Sequence, residues 1–285
     1  MSGVRTEHVA SFDGTELAVH RLGEGRPVLL LHGLFSDART NWIRFGHAQR
    51  LADAGFEAVM PDLRAHGASE KPHEAEAYPE DVLVKDAQAL VQHLGLADYD
   101  LGGFSLGART AVRCVLAGLS PRRLVLGGMG LEGLAGWDRR AAFFIGAIDR
   151  FEEVKHGDPA FVAVSFMKTQ KIDRVAARPL RGQFLVQAGD GFLAQLGKRH
   201  PVFGRAVGRD YAGSAAIGDD GEALAIGKPA GGENARRGEK DRDNGSPEAL
   251  VEALPDARFE EVPGTHMSSV TEPELGEAMA RFLTG

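Results

Sequence analysis

Four consecutive apolar residues, Val28-Leu29-Leu30-Leu31, set the tightest limit on how this chain can fold. A strand with one face in water alternates apolar and polar residues, whereas an unbroken apolar run belongs to a strand covered on both faces. Such runs recur at Ala58-Val59-Met60 and in Arg123-Leu124-Val125-Leu126-Gly127, with helical spacing between them. Residues 41–54 carry Trp42, Phe45, Ala48 and Leu51 and stop at Gly55. Residues 80–94 set Val84, Ala87, Leu90, Val91 and Leu94 on one helical face. Strand, helix, strand, helix in this order predicts right-handed crossovers and a doubly wound, mostly parallel α/β sheet. Ahead of it, residues 7–12 and 16–21 flank Asp13-Gly14 and read as an antiparallel hairpin.

The pattern changes after Met129. Residues 1–130 read as the first part of an α/β core, 131–227 as an insertion and 228–285 as the second part of the core. Within the insertion, residues 131–180 are helical in character, with aromatics at Phe143-Phe144, Phe151, Phe161 and Phe166. A helical lid over the strand ends fits this composition; helices packed on the side of the sheet are the alternative. Residues 181–237 are rich in Gly, Arg and Ala and lack a clear period. The sheet needs a strand shortly before the next loop, yet Lys228–Gly238 offers glycines and charges where β-branched residues belong. Order returns with a helix over 247–254, a strand over 258–262 and a closing helix over 273–283.

The net charge of −7, with no tract of Lys and Arg, argues against nucleic acid, whose phosphates call for a concentrated basic face. No run of roughly 18 uncharged apolar residues indicates a membrane span, and Met1–His8 lacks the apolar core of a signal peptide. The cytoplasm is the expected compartment by default. The lone cysteine, Cys114, excludes an internal disulfide and a multi-cysteine metal site; in its apolar run it reads as a buried structural thiol.

Gly103-Phe104-Ser105-Leu106-Gly107 stands between a predicted strand and a predicted helix. Gly-x-Ser-x-Gly in that setting is a nucleophile elbow: the serine occupies a strained turn, and the small flanking residues let neighbouring backbone pass close by. Its hydroxyl is presented at the sheet edge, and Leu106 N–H, at a helix N-terminus, faces a developing oxyanion. His32-Gly33-Leu34 follows strand 28–31, where Leu34 N–H is the candidate second donor and His32 reads as a residue packed beneath the loop. The general base is expected late in the chain. His266, between the last strand and the last helix, has that placement, and the other histidines do not. An acid that orients the histidine belongs on the loop after the penultimate strand. Asp241 fits, with Asp243 and Glu132 as alternatives.

Together these residues resemble the α/β-hydrolase family, whose nucleophile-acid-histidine order is matched by Ser105, Asp241 and His266. Pro61-Asp62-Leu63-Arg64-Ala65-His66-Gly67-Ala68-Ser69 looks like the family's Asp-x-Arg-Gly-His-Gly-x-Ser stretch, with Ala65 in place of a glycine. The resemblance implies that this stretch is chiefly scaffold. It further implies hydrolysis of an ester-like bond through an acyl-enzyme, with no cofactor and no metal. The apolar lid, with Phe143, Phe144 and Phe166, points to a small, hydrophobic substrate. A serine nucleophile sets the chain apart from the epoxide hydrolase and haloalkane dehalogenase branches, which use aspartate. C–C bond hydrolysis, perhydrolase-like chemistry and a non-catalytic member of the fold are the alternatives. The departure from the family lies at 228–237. Codons for Glu233–Gly238, read one base later with suitable third bases, spell Arg-Thr-Leu-Val-Val-Ala, a good strand. A shifted frame restored before Glu239 accounts for the missing one.

Overall fold

The computed structural model describes residues 3–130, 138–177, 223–227, 250 and 257–285. Eight strands among them form one sheet: β1 (Arg5–Ala10), β2 (Glu16–Gly23), β3 (Arg26–Leu31), β4 (Phe56–Pro61), β5 (Asp100–Phe104), β6 (Leu124–Gly127), β7 (Ala223–Gly227) and β8 (Ala257–Glu261). Their spatial order is β1-β2-β4-β3-β5-β6-β7-β8. The hairpin β1–β2 joins β4 antiparallel, and every later pairing is parallel. The doubly wound sheet expected from the apolar runs is therefore the architecture of the chain.

β3 shows why an unbroken apolar run is needed. Successive side chains point to opposite faces of a strand. Leu29 and Leu31 enter a core with residues of α2 (Val82–His93) and α3 (Leu106–Leu116). Val28 and Leu30 enter a second core with Trp42, with Ala48 and Leu51 of α1 (His47–Asp53), and with Leu275, Ala278 and Met279 of the C-terminal helix Pro273–Thr284. All four β3 residues are fully buried, worth about 1.5–3 kcal/mol each relative to exposure.

Two expectations need correction. The helix expected over 41–54 is split into a π-helical turn at Arg39–Ile43 and α1. Gly46, at φ 78°, adopts the left-handed conformation between them, which a right-handed helix cannot contain. The apolar spacing was sound, since Trp42, Ala48 and Leu51 still meet in one core. The second correction concerns the sheet position before the last strand, which is filled. Ala223–Gly227 forms β7, paired parallel with both β6 and β8. This short Ala-Leu-Ala-Ile-Gly run lies ahead of the glycine- and charge-rich stretch, outside the window in which the strand was sought. Of the helix expected over 247–254 only Leu250, helical and buried, is among the described residues.

Helices α4 (Asp138–Asp149), α5 (Phe161–Thr169) and the short α6 (Arg174–Ala177) follow β6. Ala147, Ile148, Phe151, Val164 and Met167 form their own buried cluster, and Phe35 from the loop after β3 joins it. These helices thus pack over the carboxyl end of β3. No helix among the described residues is long and apolar enough to cross a membrane, and Cys114 is buried and free.

Candidate active site

Ser105 joins β5 to α3 at φ 53°, ψ −111°, a conformation that costs a non-glycine residue roughly 1–3 kcal/mol. The turn is held by Ser105 N–H donating to the Gly127 carbonyl at 2.8 Å and by Arg109 N–H donating to the Ser105 carbonyl at 3.0 Å. Both flanking glycines are dictated by space. A Cβ on Gly103 would stand 2.2 Å from Gly107 C, and one on Gly107 would stand 2.0 Å from the Leu31 carbonyl oxygen. The elbow therefore presses directly on the end of β3.

His266 Nε2 lies 3.1 Å from Ser105 Oγ. Its ring packs against Phe104 at a centroid distance of 5.3 Å, and its loop is braced by Thr265 N–H donating to Ser268 Oγ at 2.7 Å. Beyond it, His47 Nε2–H donates to the Val270 carbonyl at 2.8 Å and ties the loop to α1.

The loop after β3 passes over the elbow: a Cβ on Gly33 would lie 3.6 Å from Ser105 Cβ. Leu34 follows directly. Among the described residues neither Leu34 N–H nor Leu106 N–H has a protein acceptor. Three other amides of this loop are engaged by side chains. Gly33 N–H donates to Asn41 Oδ1 at 3.0 Å, Phe35 N–H to His66 Nε2 at 3.1 Å and Ala38 N–H to Asp62 Oδ1 at 2.8 Å. In return Leu63 N–H donates to His32 Nε2 at 2.9 Å. His32 is thus packed beneath the loop, as its sequence position suggests.

The carbonyl partners fix both tautomers. His32 Nδ1–H donates to the Gly33 carbonyl at 2.8 Å and His66 Nδ1–H to the Arg64 carbonyl at 2.9 Å, which leaves each Nε2 bare to accept. The rings meet edge-on at 5.1 Å. Burial holds both imidazoles below their ordinary range, His66 at about 3, so both are neutral. Burial works against the Asp62 carboxylate, yet bonds from His20, Ala68 N–H and Ala38 N–H bring it down to about 2. Neighbouring Arg64, fully buried, donates to Asp13, Asp86 and the Ala77 carbonyl.

Of the residues singled out in the sequence, the structure brings Ser105, His266, Leu34 and Leu106 to one sheet edge. Asp241, Asp243 and Glu132 lie outside the described residues. The clamp made by Asp62, His66 and Asn41 was missed as part of the site. Its signal was the Asp62–Ser69 stretch itself, read as scaffold. Among the described residues no group of three or more His, Cys, Asp and Glu could hold a metal ion.

Residues 26–124 match the alpha/beta hydrolase fold family. The chain is 34% identical to a non-heme haloperoxidase of Rhodococcus erythropolis over 109 residues, 38% of this chain and 37% of that protein. It is also 34% identical to epoxide hydrolase A of Mycobacterium tuberculosis over 94 residues, 33% of this chain and 29% of that protein. The chain thus matches about a third of the length of these relatives. Among solved structures, an esterase from Exiguobacterium antarcticum superposes with a TM-score of 0.66 at 18% identity, covering 99% of this chain and all of that one.

Proposed function

We propose that this chain, which has the α/β-hydrolase fold and the family's sequence over residues 26–124, is a serine hydrolase that cleaves an ester-like bond. The observation that carries this reading is the 3.1 Å contact between His266 Nε2 and Ser105 Oγ, within hydrogen-bond reach for proton transfer. His266 takes the hydroxyl proton as Ser105 Oγ attacks the carbonyl carbon. Leu34 and Leu106 amides hold the oxyanion, His266 returns the proton to the leaving alcohol, and water activated by His266 releases the acid. Asp241 orients the imidazole. This chemistry calls for no cofactor and no metal. Phe143 and Phe144 on α4 suit a small substrate with a hydrophobic acyl group. A serine at position 105 disfavours epoxide opening by an aspartate nucleophile.

The likeness to a haloperoxidase supports a second reading, in which hydrogen peroxide replaces water at the acyl-enzyme and a peroxyacid leaves. The two share Ser105 and His266 and differ only in the acceptor. A fluorophosphonate probe is expected to label the wild type and not Ser105→Ala, and His266→Ala to abolish turnover of p-nitrophenyl acetate. Equal labelling of both proteins sinks the serine reading. Peroxyacid formation from acetate and hydrogen peroxide separates the second reading from the first.

A further inference from the structure

The peptide between Gly33 and Leu34 carries the Leu34 N–H at one edge and the Gly33 carbonyl at the other, and a trans peptide points the two in opposite directions. Its orientation is heavily determined. The Gly33 carbonyl accepts from His32 Nδ1–H at 2.8 Å and from Ser36 N–H at 3.2 Å. The peptide before it is anchored through Gly33 N–H on Asn41, and the one after it through Phe35 N–H on His66. Phe35 itself stands at φ 59°, a conformation a non-glycine residue holds only when its surroundings insist on it. From Gly33 to Ser36, Leu34 N–H is then the one amide without a protein acceptor among the described residues.

Two fully buried imidazoles are a costly way to fill space beneath a loop, since an apolar side chain fills it with no polar group to satisfy. What leucine cannot do is donate to one peptide while accepting from another. We propose that His32 and His66 are positioning residues of the acyl-transfer step, which aim Leu34 N–H at the oxyanion. His32 acts on the carbonyl of the donor peptide, and His66 on the amide that follows. This inference rests on the serine-hydrolase reading above.

The two roles are of opposite kind, which gives a crossed test. An Asn amide can reproduce the donating Nδ1–H, and a Gln oxygen the accepting Nε2. His32→Asn keeps the bond to the Gly33 carbonyl and His32→Gln loses it; His66→Gln keeps the bond from Phe35 N–H and His66→Asn loses it. With active sites counted by fluorophosphonate labelling, His32→Gln and His66→Asn are expected to lower kcat for p-nitrophenyl acetate by roughly 10- to 100-fold. KM stays within about threefold, and affinity for a boronic acid that forms a tetrahedral adduct on Ser105 falls by the factor seen in kcat. His32→Asn and His66→Gln remain within about threefold of wild type. A loss equal for both replacements at each position, a loss confined to KM, or four unchanged variants overturns the inference. The wild type offers a check that needs no variant: 15N NMR at neutral pH is expected to show a protonated Nδ1 and a bare Nε2 on both rings. The Nε2–H tautomer on either ring overturns the proposal. Wild-type activity in Ser105→Ala defeats the serine reading itself. An inactive Ser105→Ala beside unaffected His32→Gln and His66→Asn defeats this inference alone.

Discussion

At the scale of the residue, the site as proposed divides into groups that meet the reacting atoms, Ser105 and His266, and groups that aim them, His32 and His66. Ser105 and His266 were legible because each has a positional signature: the elbow between strand and helix, and the loop between the last strand and the last helix. His32 and His66 were legible only as packing, because their work is hydrogen bonding to backbone, and a backbone amide leaves no trace in the sequence. Asp241 is expected to orient the imidazole and stabilise its charged form. Asp241→Asn should then lower kcat by about four orders of magnitude, while Asp243→Asn and Glu132→Gln leave it within about threefold. Steady-state kinetics of the three variants on one p-nitrophenyl ester decides the assignment, and the acid is whichever position carries the large loss.

At the scale of the element, the parallel core was readable wherever burial on both faces left an unbroken apolar run, as in β3, β4 and β6. Boundaries moved where a single conformation overrode the period, as at Gly46. β7 was not readable: its five residues contain only one β-branched side chain and end in glycine. The vacancy behind the frame-shift reading is thus filled, and mass spectrometry of peptides spanning 228–240 decides the frame directly. Where β5 turns into α3, the contact with β3 is closer than any side chain allows. Gly107→Ala would drive a Cβ into the Leu31 carbonyl and carbon at 2.0 and 2.5 Å, backbone that cannot yield. It should cost about 3 kcal/mol or prevent folding. Gly146→Ala, inside α4 with nothing within 4 Å, should add about 0.5–1 kcal/mol. Urea unfolding of the pair tests this, and equal midpoints would refute the packing argument.

At the scale of the whole molecule, three buried imidazoles set how stability responds to acid. Burial lowers His32, His47 and His66 from their ordinary range. An imidazole depressed in the folded state is protonated first in the unfolded chain, so its contribution is complete above about pH 6.5 and is lost as pH falls. For His66 the loss runs from there down to about 3. Asp13, held by its bonds from Arg64, and Asp62 lie at about 2, so their share fades only between about pH 4 and 2. Burial raises Asp86 and Asp100, whose contribution has the opposite sign, so the informative quantity is a difference. The urea midpoint of the wild type should fall more steeply from pH 7 to pH 5 than that of His66→Gln; parallel profiles would count against a neutral buried His66. The clamp beneath the loop carries one more consequence, for how such a protein can diverge. Asp62 and His66 bind the amides of Ala38 and Phe35 and never their side chains. Exchange at partly buried Leu34 therefore leaves the grip intact, whereas Phe35 and Ala38 are held by the cores their side chains pack into. Positions 62 and 66, buried beneath the loop, are the ones that drift cannot reach.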